Sequence, residues 1–528
     1  MICKYEMKKP PSKNLILVNA NIVTLDPLSP NASWVAIEKD KIVAIGHEKA
    51  WTNLRHKKTN VIDCGGKTVI PGLIDVHLHL VSYAKSLVTP DLSPDENVRS
   101  ISDILAIIKR YSSMRPSGQW IFGRGYNEFY LSEKRHPNRW DLDKATPDHP
   151  VRVTHRSGHA HVLNSLALKL VGITKETGDP DGGLIERDLK TGEPTGLLYE
   201  MGDYLYVRIP ALAREALEKG LQLANRELLS KGVTSIQDAS SRNDTEQWNL
   251  FKSWKETGIL QPRVNLMMGI DAFGKNNRPS GLKTIDENQL RWGAVKIILD
   301  DTTGRLHPSK PELNAMAYEV HQAGQQIAIH ALEEKAVKAA CEAIQFALEK
   351  TPTKDHRHRI EHCAVCPPDL ARKIASLGIS LVTQPAFIYF HGERYLDTIP
   401  DDQLKHLYPI RTLLDQGINV AASSDCPIVP PDPLIGILAA MHRLSSTGDI
   451  VGGRQKIQPT AALQMYTLNA ARATFEETIK GSLTPGKLAD LVVLNADPAR
   501  LTADEFKNLQ VDMTIIGGKI VWEKDAKR

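Results

Sequence analysis

Short apolar runs separated by turn residues mark both ends of the chain. In the first seventy residues, β-rich runs cover 15–25, 34–38, 41–46 and 60–64, and Asp40-Lys41 and Gly65-Gly66 are turn signals. Three similar runs cover 490–494, 512–516 and 519–522 near the other end. Because the two β-rich ends enclose a long middle segment, we predict that residues 1–72 and 479–528 pack together as one composite β-sandwich domain.

In the middle of the chain, eight β-like runs alternate with helical segments. The β-like runs cover 73–80, 233–237, 263–269, 294–299, 326–330, 357–361, 379–384 and 418–423. Helical segments are predicted at 211–231, 311–323, 333–349, 369–377 and 403–416. Most repeats span about 30 residues, the size of a strand with its crossover helix. The pattern favours the α/β class and a closed (β/α)₈ TIM-like barrel over residues 73–478, rather than an open doubly wound sheet.

One interval breaks this repeat. About 150 residues separate His79 from Val233, far more than one crossover connection requires. We predict that residues 85–205 form an insertion after the first barrel strand. In a barrel, an insertion at this point lies over the face that carries the active site.

Composition and charge exclude several classes of protein. Apolar residues make up 41% of the chain and charged residues 24%, and the formal net charge is +4 over 528 residues, values typical of a globular protein. The chain lacks the basic excess typical of nucleic-acid or anionic-membrane partners, and no run approaches the ~20 apolar residues that span a bilayer. The first apolar run is interrupted by Asn19 and Asn21, unlike a secretory signal. We therefore expect a cytoplasmic protein with neither type of partner.

Histidines and a carboxylate at strand ends are the candidate chemical groups. His77 and His79 close the first barrel strand, and alternate residues of a strand face the same side. An isolated pair of this kind is more often structural than metal-binding. However, His330 and His362 also end apolar runs, and Asp425 follows the eighth. Since the eighth strand of a closed barrel adjoins the first, and neutral imidazole is the commonest metal ligand, these residues together predict a divalent metal site.

Lys296 lies inside an apolar run at 292–300. A buried lysine is costly unless its charge is paired or removed. The simplest explanation is an ion pair with Asp300, Asp301 or Glu361.

Eight sequence motifs, in this order along the chain, resemble those of a known family. They are VIPGLIDVHLH at 69–79, RSGHAHVLNSLAL at 156–168, GGLIERDLKTGEPTGLLYE at 182–200, VKIILDDTTG at 295–304, IAIHALEE at 327–334, HRIEHC at 358–363, SSDCP at 423–427 and LTPGKLADLVVL at 483–494. The chain resembles the amidohydrolase-3 (YtcJ-like) branch of the metal-dependent amidohydrolase superfamily. The resemblance extends from about residue 14 to residue 522 and departs from the branch at Asp301, where many members have glycine. This departure concerns loop shape and substrate fit rather than the metal.

The resemblance implies a barrel with a β-sandwich and one or two divalent metal ions, commonly zinc. The implied ligands of the more buried ion are His77, His79 and Asp425, and those of the second are His330 and His362. Lys296 is then carbamylated by CO₂ into a bridging anion. A homodimer is a reasonable expectation for this fold.

The expected activity is hydrolysis of a non-peptide C–N bond in a small-molecule amide, namely an N-acyl or N-formyl amine. Asp425 is expected to act as general base and then as general acid. His159 is expected either to contact the substrate carbonyl or to have a structural role. Two alternatives stay open: a hydrolytic deaminase or cyclic amidase, with Glu333 as a possible proton shuttle, and a non-catalytic ligand-binding or regulatory barrel.

Overall fold

Eight parallel strands form the centre of the computed structural model, which describes residues 14–94, 97–274, 286–301 and 305–524. Numbered 1 to 8 in chain order, the barrel strands are Leu73–Leu78, Val233–Asp238, Arg263–Gly269, Leu290–Ile298, Ile327–Ala331, Arg359–His362, Ser380–Thr383 and Val420–Ala422. Each pairs in parallel with its neighbour in sequence. Beyond the end of strand 8, Asp425 N donates to His77 O and His79 N donates to Cys426 O, both at 2.8 Å. These bonds connect strand 8 to strand 1 and confirm the predicted barrel.

Helices cover the outside of these strands, as the apolar character of parallel strands requires. They are Leu80–Ser86, Arg214–Ser230, Thr245–Glu256, Ile270–Gly274, Lys310–Gln322, Glu334–Lys350, Pro368–Ser376, Ala386–Thr398, Asp401–Leu404, Ile410–Asp415, Pro433–His442, Pro459–Met465 and Leu468–Ala473, with a 3₁₀ turn at Gly453–Gln455. The single helix predicted over 403–416 is wrong. Two short helices replace it, because Pro409 lacks the N–H that a continuous helix needs. None of the helices described is long and apolar enough to cross a membrane.

Strands from both ends of the chain form two sheets. One sheet has the order Lys519–Glu523, Val511–Ile516, Leu491–Leu494, Thr68–Pro71, Asn21–Val23 and Asn31–Ala32. The other has the order Lys41–Gly46, Trp34–Glu38, Leu15–Val18 and Asn60–Asp63. Short helical turns at Ala50–Leu54, Pro498–Arg500 and Ala503–Phe506 accompany them. Side chains of both sheets share one apolar cluster, while the exact domain boundaries at 72 and 479 stay a prediction.

The continuous strand predicted over 15–25 is divided between the two sheets. Asn19 adopts a left-handed backbone conformation with φ of 51°, which its short polar side chain tolerates better than most. The chain turns there, so Leu15–Val18 and Asn21–Val23 belong to different sheets.

The segment between strands 1 and 2 contains a sheet of its own. Its order is Leu184–Arg187, Pro194–Tyr199, Ala160–Leu163, Val151–His155 and Ile121–Tyr126. Helices Ile101–Ser112, Arg139–Asp143, Ser165–Val171 and Gly202–Tyr206 flank it. Two apolar clusters stabilise this unit. It meets the barrel near the end of strand 7, where Arg156 Nη1 lies 2.9 Å from His391 Nε2.

Candidate active site

The histidines and the aspartate predicted from strand ends lie together at the carboxyl end of the barrel. Asp425 Oδ1 is 3.1 Å from His79 Nε2 and 3.5 Å from His77 Nε2. Asp425 Oδ2 is 3.9 Å from His362 Nδ1. The ring centroids of His330 and His362 are 4.4 Å apart. Strands 1, 5, 6 and 8 therefore bring all five residues into one cluster.

A buried carboxylate orients His77. Glu361 Oε2 accepts a short hydrogen bond from His77 Nδ1, and Arg359 Nε donates to Glu361 Oε1 at 2.5 Å. All three side chains are at most 1% exposed. Because an ionised carboxylate only accepts hydrogen bonds, the proton of neutral His77 is on Nδ1. The lone pair on Nε2 is then directed towards Asp425.

The side-chain amide of Gln384 orients His362 in a similar way. Gln384 Nε2 donates to Ser423 Oγ at 3.0 Å, which directs Gln384 Oε1 towards His362 Nδ1 at 2.9 Å. His362 Nε2 is left buried without a hydrogen-bond partner among the residues described. His79 follows the same pattern, since its Nδ1 lies 3.0 Å from Ser240 Oγ.

This arrangement fits a metal ion. His77, His79 and Asp425 offer ligand atoms that all lie within 4.8 Å of one another. Beside them, the buried Nε2 of His362 has no hydrogen-bond partner among the residues described, and such an atom calls for a ligand of its own. Hydrogen bonding of the second ring nitrogen is also what metal-binding histidines almost always show. His362 and Asp425 both have positive φ, 73° and 57°, and local strain of this kind concentrates at functional sites.

Asp425 is held at the junction of strands 8 and 1. The preceding Ser424 donates through its hydroxyl to Asp75 Oδ2 at 2.5 Å, a bond that ties the two strands together. Burial alone would raise the pKa of Asp425. The hydrogen bond with His79, together with the other surrounding imidazoles, outweighs burial and holds its pKa below the usual value. Asp425 is therefore a carboxylate that can accept a proton.

Lys296 lies beside the cluster and is only 1% exposed. Its amine is 3.4 Å from His77 Nε2, and burial lowers its pKa to about 8. The ion pair considered for it is not found, because no carboxylate among the described residues lies within 4.0 Å of its amine. Glu361 pairs with Arg359 instead.

His159 approaches the cluster from the insertion. Its ring centroid lies 6.4 Å from that of His330, and its Nδ1 is 2.9 Å from Glu200 Oε2. The hydrogen bond with Glu200 raises the pKa of His159. Sequence reasoning missed Glu200, although it ends one of the motifs that revealed the family.

Glu333 is the alternative candidate for a proton shuttle. It precedes helix Glu334–Lys350 and is exposed. Partial burial of its carboxylate, and then the charge of Asp301, raise its pKa even though much of the residue is open to solvent. Within the described ranges, it forms no hydrogen bond or ion pair with the histidine cluster.

The comparisons with known proteins agree with this geometry. The model of the amidohydrolase family matches residues 60–522. The chain belongs to the amidohydrolase family. It is a hydrolase of carbon–nitrogen bonds, so the predicted family and enzyme class are confirmed.

The chain matches its relatives over nearly their whole length. It is 29% identical to the N-substituted formamide deformylase of Arthrobacter pascens, over 97% of this chain and 99% of that one. It is also 29% identical to the putative amidohydrolase YtcJ of Bacillus subtilis, over 88% and 91%. An uncharacterized metal-dependent hydrolase from Pyrococcus horikoshii superimposes with a TM-score of 0.73, at 23% identity, over 93% of this chain and 99% of that one. That likeness supports the fold.

Proposed function

We propose that the protein hydrolyses the amide bond of an N-acyl or N-formyl amine with a metal-activated water. The observation that carries this proposal is the convergence of His77, His79 and Asp425. The N-formyl group is supported by the relative named N-substituted formamide deformylase, which matches this chain end to end.

In this proposal His77, His79 and Asp425 bind one divalent ion, with His330 and His362 available for a second. Imidazole and carboxylate ligands suit zinc, which is the ion we expect, and also manganese and iron. A bound ion of this kind lowers the pKa of its water to about 7 and polarises a carbonyl oxygen.

We further propose that Lys296 is carbamylated. Addition of CO₂ to the neutral amine releases one proton and converts a buried base into an anion beside the histidines. The support is structural, because Lys296 is buried next to His77 and has no carboxylate partner among the described residues. An anion at this position would resolve the cost of the buried lysine.

Two side chains would move or place protons. Asp425 would accept a proton from the attacking water and deliver it to the leaving amine, as a general base and then a general acid. His159 would donate a hydrogen bond to the substrate carbonyl oxygen, and its hydrogen bond with Glu200 raises its pKa, which favours the protonated ring. Asp425 belongs to the cluster itself, and His159 approaches it from the insertion.

The test combines metal analysis with turnover of a panel of N-formyl and N-acetyl amines. Wild-type protein should contain one to two equivalents of a divalent metal, and chelation should abolish activity. The double variant His77→Ala/His79→Ala should lose both metal and turnover. The matched control His47→Ala/His56→Ala, at two exposed histidines, should lose neither.

Two results would contradict the proposal. The first is full metal content in the His77→Ala/His79→Ala variant, which would place the metal elsewhere. The second is release of ammonia from cyclic or heteroaromatic C=N substrates with no acid released from any amide. That outcome would identify a deaminase instead.

A further inference from the structure

Arg152 and Arg242 lie around His161, beside the candidate active site, and a lysine is within range of their charges. Arg152 Nη2 is 3.1 Å from His161 Nδ1. A methyl group placed on Gly202 would lie 3.5 Å from Arg242 Nη2 and 3.6 Å from His161 Nε2. Lys85 is on helix Leu80–Ser86, and the charges of Arg152 and Arg242 act on its amine. We call Lys85, Arg152 and Arg242 the basic cluster.

The charges of the basic cluster are only partly neutralised. Arg242 forms an ion pair with Asp203, whose side chain is 85% exposed. Arg152 contacts the neutral His161 ring, and its Nε is buried without a hydrogen-bond partner among the residues described. Over the same residues, no carboxylate lies within 4.0 Å of Lys85 or Arg152. Three cations and one exposed carboxylate therefore leave an excess of two positive charges.

This arrangement costs stability in the absence of an anion. Burial, and then the charges of Arg152 and Arg242, lower the pKa of Lys85. Burial and the charge of Arg242 lower the pKa of Arg152 to about 10. Partly buried cations that repel one another are unfavourable unless an anion joins them. An arginine fork next to a lysine is suited to a carboxylate or a phosphate.

The basic cluster adjoins the candidate active site along two segments. Arg242 follows Ser240 by two residues, and Ser240 Oγ is 3.0 Å from His79 Nδ1. His161 follows His159 by two residues in the insertion. Two residues of chain span at most roughly 7 Å, so the two places are close enough for one small molecule to reach both. Lys85 and Arg152 are partly exposed and Arg242 is exposed, so an anion can enter from solvent.

We propose that the basic cluster binds a carboxylate or phosphate carried by the substrate, so that the enzyme prefers amides with an anionic group. This inference rests on the proposed amide hydrolysis. It identifies the class of substrate within that reaction, through residues outside the metal cluster.

The test compares anionic substrates with neutral partners of similar shape. One pair is N-formyl-β-alanine and N-formyl-β-alaninamide. The other is O-phospho-N-formylethanolamine and N-formylethanolamine, which distinguishes phosphate from carboxylate. A hydrogen bond to a charged group stabilises binding enough to change affinity by about 10- to 100-fold. We therefore expect kcat/KM for at least one anionic amide to exceed the kcat/KM of its neutral partner by this factor.

Variants of the basic cluster should remove this preference. In Arg152→Gln and Lys85→Gln the anionic-to-neutral ratio should fall towards one, whereas Arg152→Lys should keep part of it. Lys85 lies at a helix end, so its variant should fold even if Arg152→Gln does not. Arg372→Gln, at an exposed arginine of helix Pro368–Ser376, is the control and should keep the wild-type ratio. Equal kcat/KM for both members of both pairs, or a ratio that survives in Lys85→Gln and Arg152→Gln, would overturn the inference.

Anion binding can be measured without turnover, so it tests this inference independently of the proposed reaction. If none of the four amides is hydrolysed, the panel of N-formyl and N-acetyl amines still decides the proposed function, and thermal denaturation with inorganic phosphate or acetate tests the basic cluster alone. A rise in Tm for wild type and Arg372→Gln that is lost in Lys85→Gln would support the anion site. Equal responses of all three proteins would overturn it.

Discussion

Replacing Glu361 with glutamine tests whether one buried carboxylate both neutralises Arg359 and orients His77. Glu361 Oε1 and Oε2 accept hydrogen bonds from Arg359 at 2.5 and 3.1 Å, and Oε2 also accepts from His77. Glutamine keeps the shape but has one acceptor oxygen and an amide that can only donate. Either Arg359 or His77 then faces an N–H donor instead of an acceptor, and Arg359 loses its counter-ion.

The size of the effect follows from burial. Arg359 and Glu361 are both 0% exposed, so water cannot replace the lost charge. Removing one partner of a buried ion pair costs about 3–5 kcal/mol. Loss of the hydrogen bond that orients a metal-binding histidine lowers metal affinity by about 10- to 100-fold. We expect Glu361→Gln to lower the free energy of unfolding and zinc affinity by these amounts.

Guanidinium denaturation of the metal-free protein, followed by circular dichroism, measures the first effect. Titration with zinc against a competing chelator measures the second. The control is Glu342→Gln, which removes the same charge from a pair with Lys310 on the surface, where ion pairs contribute little. A denaturation midpoint and a zinc affinity equal to wild type in Glu361→Gln would refute the role assigned to Glu361.

Three further variants test the proton-transfer groups and the lysine. Asp425→Asn keeps the side-chain size and one ligand oxygen, so metal content should stay near wild type while kcat falls about 10²–10⁴-fold; retention of most activity would leave Asp425 a structural role only. Lys296→Ala should lose activity and recover part of it in formate or acetate, and a structure with a bare Lys296 amine and full activity would contradict carbamylation. Glu200→Gln removes the contact that raises the pKa of His159, so the fall of kcat/KM at alkaline pH should move to lower pH. An unchanged pH–rate profile would exclude His159 as the protonated donor.

The sequence alone predicted the barrel and the residues that its centre brings together. His77, His79, His330, His362 and Asp425 stand at or just after strand ends, and the carboxyl ends of parallel barrel strands converge on one face whatever the loops do. A regular strand–helix repeat therefore carried enough information to place all five in one cluster. Two errors of local structure, at Asn19 and Pro409, occurred where one residue interrupts an otherwise regular pattern.

The partners of these residues required the tertiary structure. Glu361 is 284 residues from His77, and Ser240 is 161 residues from His79. The basic cluster likewise joins a barrel helix, the insertion sheet and the loop after strand 2. Hydrogen bonds and charge clusters of this kind depend on the register and depth at which distant segments pack. Hydrophobic periodicity determines which side of a strand is buried, but it does not determine which side chain of another segment lies opposite.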